Sequence, residues 1–291
     1  MIPPTFDYAA PKSLSEAISM LSQNGDAKVL AGGQSLIPLM RFRLASPVML
    51  IDINRLPGLE YIREEGGWLR IGALTRETAL DRSSLVQKKY PLLADTTRVI
   101  ADPLVRNLAT IGGNLAHADP ANDHPATMLA YRAQVVASGP RGERVIPIAD
   151  FFAGPFESSL AHDEILTEIR IPAPQPHSGG AYFKLERKVG DFATAAVAVQ
   201  IQLDEGGRCT SAGIGLTNAG LTPVQATQAE AALVGQRLDD GAIHRAAQLA
   251  SQAAEPESDP RGSVEYKRAM VRTLATRALR KAVERAQGGV Q

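Results

Sequence analysis

Apolar residues along this chain recur at helical spacing in some stretches and in short strand-like blocks in others, and each change of rhythm marks an element. Behind the capping-box segment Ser13-Leu14-Ser15-Glu16, Ala17, Ile18 and Leu21 follow at helical spacing and Asn24-Gly25 supplies a left-handed stop, which predicts a short first helix. Lys28 to Ala31 reads as a strand, "SLIPLMRF" as a short helix and "VMLIDI" (Val48 to Ile53) as a fully buried strand. Together they predict a β-α-β unit bent at Gly32-Gly33. From Leu59 the texture turns to short strands, "LEYIR" and "WLRIG", then to a helix before Pro91 and a long glycine-bearing connection from Ala101 to Pro125. Gln134 to Ile148, with "SGPRG" at its centre, predicts a hairpin, and "ILTEIRIPAPQPHSGG" ends a strand in a Pro/Gly/Ser-rich stretch.

The second half begins with strands, "AYFKLER", "TAAVAVQIQL" and "SAGIGLTN", and continues in Ala-rich helical segments. The last helix runs from Val264 to about Ala286, with Val271, Leu274, Ala275, Ala278, Leu279 and Ala282 on one face and arginines on the other. Strands followed by helices make an α+β fold. The predicted boundary lies between Pro172 and Gly180, giving domains 1–175 and 176–291, with a subdomain change near Pro57-Gly58 that splits the first into about 1–57 and 58–175.

A length of 291 residues suits two domains with ample core. Thirty-one Lys+Arg balance 31 Asp+Glu, so no global field draws the chain to nucleic acid or to an anionic membrane. The start, "MIPPTFDYAAPKS", lacks the basic and apolar regions of a signal peptide, and no apolar run approaches the roughly 18 residues of a membrane span. A cytoplasmic protein is expected. Cys209, the single cysteine, excludes an internal disulfide and any iron–sulfur cluster held by this chain alone.

Candidate chemistry centres on two glycine pairs. In "AGGQS" (Ala31 to Ser35) a strand stops at Gly32-Gly33, exposing consecutive backbone N–H groups without Cβ atoms, and a helix with the Ser35 hydroxyl follows. "TIGGN" (Thr110 to Asn114) repeats the design with Thr110, Asn114 and the Gly112-Gly113 amides. Two such cradles face to face suit a diphosphate, and hence a dinucleotide. Neither is a G-x-G-x-x-G or G-x-x-x-x-G-K-[ST] motif, and "AGIGLTNAG" carries Asn218 where a third glycine is needed, so it is expected to be a sheet strand.

"HADPANDH" packs His117, Asp119, Asp123 and His124 together. A two-histidine, one-carboxylate metal site is conceivable there, but Pro120 and Pro125 favour a rigid loop in which the aspartates cap turns or a helix from Ala126. No G-x-S-x-G elbow supports a serine hydrolase. "KLERKVGDFATAA" concentrates Lys184, Arg187, Lys188 and Asp191 beside Phe192, either as a solvated strand edge or as cations and a flat ring set against a cofactor.

Taken together, "VLAGGQSLIPLMRFRL", "VRNLATIGGNLAHADPANDHPA" and "YFKLERKVGDFATAAVAV" resemble the FAD-binding medium subunits of the molybdenum hydroxylases, most of all those of the aerobic carbon monoxide dehydrogenases. The likeness spans nearly the whole chain, from "IPPTFDY" to "DPRGSVEYKRAM". It implies a two-part flavin domain of the vanillyl-alcohol-oxidase type and a C-terminal domain of sheet plus helices. Ala31, Gly32, Gly33, Gln34, Ser35 and Leu36 would wrap the FAD diphosphate with Thr110, Ile111, Gly112, Gly113 and Asn114, and Lys28 is counted with the same cofactor-binding set. Asp123 would contact the ribityl region, Ile165 and Leu166 the adenine side, and Lys184 would lie near the isoalloxazine. Phe192, in the place of a family aromatic that is often Tyr or Trp, would cover one flavin face, and Gln34 stands where many of these enzymes have His. The resemblance implies no catalytic residue and no metal in this chain.

The implied function is electron transfer. A large partner subunit would hold the molybdopterin cofactor and a small one two [2Fe-2S] clusters, in a dimer of heterotrimers, with the flavin passing electrons to an external acceptor. Carbon monoxide is the implied substrate, with N-heterocycles or aldehydes as alternatives. Two further readings stay open: a free-standing flavin oxidase, disfavoured by chain length, and a metal-dependent hydrolase using His117, Asp119 and His124.

Overall fold

The structure, a computed structural model, describes residues 2–288. A small parallel sheet comes first, in the order Asp7–Ala9, Met49–Asp52, Ala27–Leu30. Its central strand carries Leu50 and Ile51, both essentially inaccessible, and helix Leu14–Gln23 lays Ala17 and Leu21 into one cluster with Ile51. The β-α-β unit is therefore present, with helix Leu36–Arg41 as its crossover. The first helix starts as expected, the Ser13 hydroxyl accepting from Glu16 N–H. It stops differently. Asn24 has φ −133° and Gly25 is not left-handed; instead Asn24 donates its N–H to Leu21 and its side-chain amide to Met20.

A five-stranded antiparallel sheet follows, in the order Ile62–Glu65, Trp68–Gly72, Ile165–Pro172, Gln134–Gly139, Gly142–Pro147. Alternation along it puts Leu69, Ile71, Ile169 and Ile171 into the main core, and Arg70, Glu168 and Arg170 on the other face. The expected long connection from Ala101 to Pro125 is mostly helix: Pro103–Arg106, Ile111–His117 and the start of Asp123–Tyr131. Asp102 caps the first of these and Thr110 the second, so the Gly112-Gly113 pair lies inside a first helical turn rather than at a strand end.

The last part is an antiparallel sheet, Ser178–Leu185, Ala195–Leu203, Cys209–Thr217 and Val224–Gln225, covered by helices Thr227–Leu233, Asp240–Ala253 and Val264–Ala286. Every residue of the predicted apolar face of the final helix is buried. Helix Asp123–Tyr131 is buried along its whole length, between the main core and strand Cys209–Thr217. Gly213 and Gly215 explain this contact: side chains there would overlap the carbonyls of Ala130 and Ala126, so "AGIGLTNAG" is a strand whose glycines admit a helix backbone. No described helix is long and apolar enough to cross a membrane.

Candidate functional site

The two glycine segments, nearly eighty residues apart in sequence, lie side by side. A Cβ on Gly32 would be 2.8 Å from Ala109 Cα, and one on Gly113 would be 3.8 Å from the Ala31 methyl. Two polar side chains that the sequence patterns did not single out tie the segments together. Asn54 donates Nδ2–H to the Ala31 carbonyl at 2.6 Å and accepts from Arg76 Nη2 at 2.7 Å, while Arg76 Nη1 donates to the Leu108 carbonyl at 2.7 Å. Arg76 also forms a β-bridge with Thr110. Neither Asn54 nor Arg76 belongs to a local motif, since each is recognisable only by what it reaches.

The segments are not equivalent. Among the described residues, the amides of Gly32, Gly33, Gln34, Ser35 and Leu36 donate to no protein group, and the Ser35 hydroxyl makes no capping bond. Gly33, at φ +72°, makes this turn possible, and Gln34 folds its side-chain amide back onto the Gly32 carbonyl at 3.3 Å. In the second segment the donors are already used. Ile111 N–H bonds Thr75 O, Gly112 N–H bonds Ala73 O, Gly113 N–H bonds the Thr110 hydroxyl at 3.1 Å and Asn114 N–H bonds Thr110 O. The expectation of two like amide cradles is corrected: only the first presents free backbone donors. What the second presents is Asn114, whose Oδ1 is buried without a partner.

Asp123 and Lys184, two of the predicted residues, pair with each other. Asp123 begins helix Asp123–Tyr131, three residues before the predicted start, with Asn122 as N-cap and its Nδ2–H on the Asn114 carbonyl at 2.9 Å. The Asp123 carboxylate accepts from Lys184 Nζ at 2.9 Å and from Tyr182 Oη at 2.6 Å, and Lys184 also donates to Val99 O at 3.1 Å. Burial pushes the Asp123 carboxyl up, while Lys184 and the Tyr182 hydroxyl hold it down. The Tyr182 hydroxyl is pushed well up by burial and by Asp123.

The remaining predicted residues lie at the margins. Lys28 is exposed on strand Ala27–Leu30. Ile165 and Leu166 open strand Ile165–Pro172 with both side chains in the protein core, so only their backbone could meet a ligand. Phe192 is half-exposed on the loop after strand Ser178–Leu185.

The metal reading of "HADPANDH" does not assemble. His124 Nε2 pairs with Glu77 Oε2 at 2.8 Å in full burial, the His117 ring packs on Phe156 at 5.3 Å, and Asp119 Oδ1 accepts from Ala121 N–H as an Asx turn. Burial pushes the His117 imidazole down despite Asp119 nearby. No group of three potential ligands converges among the described residues.

Comparison with known proteins agrees over both halves of the chain. Residues 4–174 match the FAD binding domain in molybdopterin dehydrogenase, and residues 180–282 match the CO dehydrogenase flavoprotein C-terminal domain. The carbon monoxide dehydrogenase medium chain of Hydrogenophaga pseudoflava is 46% identical over 280 residues, 96% of this chain and 97% of that one. The 6-hydroxypseudooxynicotine dehydrogenase complex subunit alpha of Paenarthrobacter nicotinovorans is 40% identical over 99% of this chain and 97% of its own. A solved structure of carbon monoxide dehydrogenase from Hydrogenophaga pseudoflava superposes with a TM-score of 0.95 at 48% identity, covering 98% of this chain and 99% of that one.

Proposed function

The chain belongs to the family of FAD-binding medium subunits of molybdenum hydroxylases, and on that footing we propose that it is the electron outlet of a cytoplasmic complex that oxidises carbon monoxide. One observation carries the cofactor assignment. The amides of Gly32 to Leu36 have no partner among the described residues, and on the neighbouring glycine segment the Asn114 Oδ1 is buried without one. Consecutive free N–H groups at a glycine turn suit a diphosphate, and a buried carboxamide oxygen suits a ribityl or ribose hydroxyl donor. The residues present therefore fit FAD.

FAD, when bound, supplies the redox chemistry that takes electrons from an iron–sulfur partner and passes them to an external acceptor. This chain binds and orients it. Gly32 to Leu36 would hold the diphosphate, Asn54 and Arg76 hold the two segments in register, the Asp123–Lys184 pair would face the ribityl and ring, Ile165 and Leu166 would border the adenine, and Phe192 would shield one ring face from water. The single cysteine, Cys209, is buried, so iron–sulfur clusters must come from another subunit. We therefore assign a large molybdopterin subunit and a small subunit with two [2Fe-2S] clusters as partners, in a dimer of heterotrimers. The flavin domain is 1–175, in parts of about 1–57 and 58–175, followed by 176–291, and the gap between the two family matches, after 174 and before 180, supports the boundary near 175.

Carbon monoxide is favoured by the 46% identical relative; a hydroxylase of N-heterocycles is the second reading, favoured by the 40% identical one. Anaerobic titration of the purified complex tests both. Bleaching of a stoichiometric flavin by carbon monoxide is expected, bleaching only by an N-heterocycle transfers the assignment to the second reading, and bleaching of the isolated chain by an alcohol would make it a free-standing oxidase.

A further inference from the structure

Phe192 stands on a loop, 186–194, closed at its base by Thr194 N–H donating to the Leu185 carbonyl. The tip is open to solvent, with Val189 93% exposed. A loop of this kind keeps one position only if something outside it holds on. Two contacts do so. Gly190, at φ +81°, passes so close to the neighbouring segment that a Cβ there would lie 2.7 Å from the Ala101 carbonyl oxygen. Arg261, far away in sequence, donates Nη2–H to Asp191 Oδ1 at 3.0 Å.

Asp191 connects that contact to the aromatic ring. Its Oδ1 also accepts the Phe192 N–H at 2.9 Å, and its Oδ2 accepts from Arg187 Nε at 3.1 Å. The Arg187 side chain is 58% exposed, whereas Arg261 and Asp191 are 25% and 10% exposed, so the Arg261 pair is the one sheltered from water and salt. Burial pushes the Asp191 carboxyl up, but Arg261, Arg187 and the Phe192 amide outweigh it and hold the group at about 2. The pair is thus intact at any working pH.

Arg261 is itself clamped. Asp259 Oδ1 accepts the backbone N–H of Arg261 at 2.8 Å and of Gly262 at 3.1 Å, and Asp259 Oδ2 accepts from Lys267 Nζ at 2.8 Å. Lys267 is buried in the first turns of helix Val264–Ala286 and also donates to the Glu257 carbonyl at 2.8 Å. A continuous chain, Lys267–Asp259–Arg261–Asp191–Phe192, runs from the last helix to the loop. Among the described residues Arg261 Nε is buried without a partner, while Nη2 donates to Asp191.

We infer that Arg261 is a positioning residue for Phe192, holding the ring in place through Asp191 while the turn 259–262 acts as the bracket. The inference rests on the proposed placement of Phe192 over the flavin.

The test uses the assembled, FAD-loaded complex carrying Arg261→Gln, Arg261→Lys, Phe192→Ala, or Arg261→Gln with Phe192→Ala. Tryptic cleavage after Arg187 and Lys188 reads the loop without reference to the flavin; the flavin spectrum and reoxidation rate read the ring. Arg261→Gln is expected to be cleaved several-fold faster and to shift reoxidation several-fold in the direction of Phe192→Ala. Arg261→Lys should restore part of both, and the double variant should go no further than Phe192→Ala alone. Unchanged cleavage in Arg261→Gln would overturn the tether. Faster cleavage with an unchanged flavin, where Phe192→Ala does alter it, would overturn the positioning role, as would additive effects in the double variant. If Phe192→Ala leaves the flavin unchanged, the placement of Phe192 fails and this inference with it. Should Arg261→Gln not assemble, Asp191→Asn, which keeps an acceptor for the Phe192 N–H but removes the ion pair, takes the same measurements.

Discussion

Gly32 and Leu108 meet backbone to backbone: a side chain on the glycine would overlap the Leu108 carbonyl oxygen. Gly32→Ala should therefore separate the two glycine segments, costing about 1–3 kcal/mol as an overpacked contact and releasing FAD. Gly33→Val should lose FAD as well, for a different reason, because φ is +72° there and the added carbon would crowd Ile37 at 3.2 Å and Leu30 at 3.3 Å. Gly25, with nothing within 4 Å and no positive φ, is the control, and Gly25→Ala should stay within about 0.5 kcal/mol of the parent. Thermal unfolding and the FAD-to-protein ratio after gel filtration check all three; stoichiometric FAD in a folded Gly32→Ala variant would contradict the close approach.

Thr110 caps helix Ile111–His117 through its hydroxyl on Gly113 N–H. Thr110→Val should cost about 1–2 kcal/mol, while Thr110→Ser should recover most of it. Chemical denaturation of the two variants makes the comparison, and equal loss in both would remove the hydroxyl from the explanation.

Lys184→Met would leave Asp123 buried with the Tyr182 hydroxyl as its remaining side-chain partner, and losing one member of a buried pair costs about 3–5 kcal/mol. Burial already pushes the Asp123 carboxyl above its ordinary 3.8, and removing the lysine pushes it further. A carboxyl raised in the folded state binds its proton more tightly there than when unfolded. Its contribution is complete below the ordinary value and is lost as pH rises through the folded value. The deficit of Lys184→Met should therefore shrink on acidification toward pH about 4, as unfolding measured from pH about 4 to 8 would show. A deficit independent of pH would mean that Asp123 is not the group left uncompensated.

Cys209 is 1% exposed, and burial pushes its thiol up to about 11, a backbone hydrogen bond with Ser211 opposing it only in part. With thiolate scarce and access closed, a thiol reagent should label it only when the protein unfolds. Rapid stoichiometric labelling of the native protein at neutral pH would show that strand Cys209–Thr217 opens locally.

Much of the architecture could be read from residue order because it depends on local rules. Ser13 with Glu16 starts a helix, Val271 to Ala282 repeats at the helical period, and "SGPRG" closes a hairpin at Gly139 and Gly142. "TIGGN" misled because glycine weakens a helix interior, yet in a first turn capped by Thr110 its amides need no intrahelical partner. The left-handed stop at Asn24-Gly25 misled because the Asn24 side chain could reach the Met20 carbonyl instead.

By itself, then, the sequence determined most of the elements and many of their caps, since glycine, capping and periodicity act over a few positions, and it singled out two glycine pairs as candidates for a dinucleotide. Tertiary structure alone decided which donors stay free. The amides of Ile111 and Gly112 are consumed by Thr75 and Ala73 from a strand end some forty residues earlier, while those of Gly32 to Leu36 meet no such strand. Likewise Asn54 and Arg76 gain their role only when two distant segments are brought together, and Arg261 only when the last helix is laid beside the loop of Phe192. Hydrogen-bond saturation and ion pairing are properties of neighbours in space, and a single chain's residue order does not state who those neighbours are.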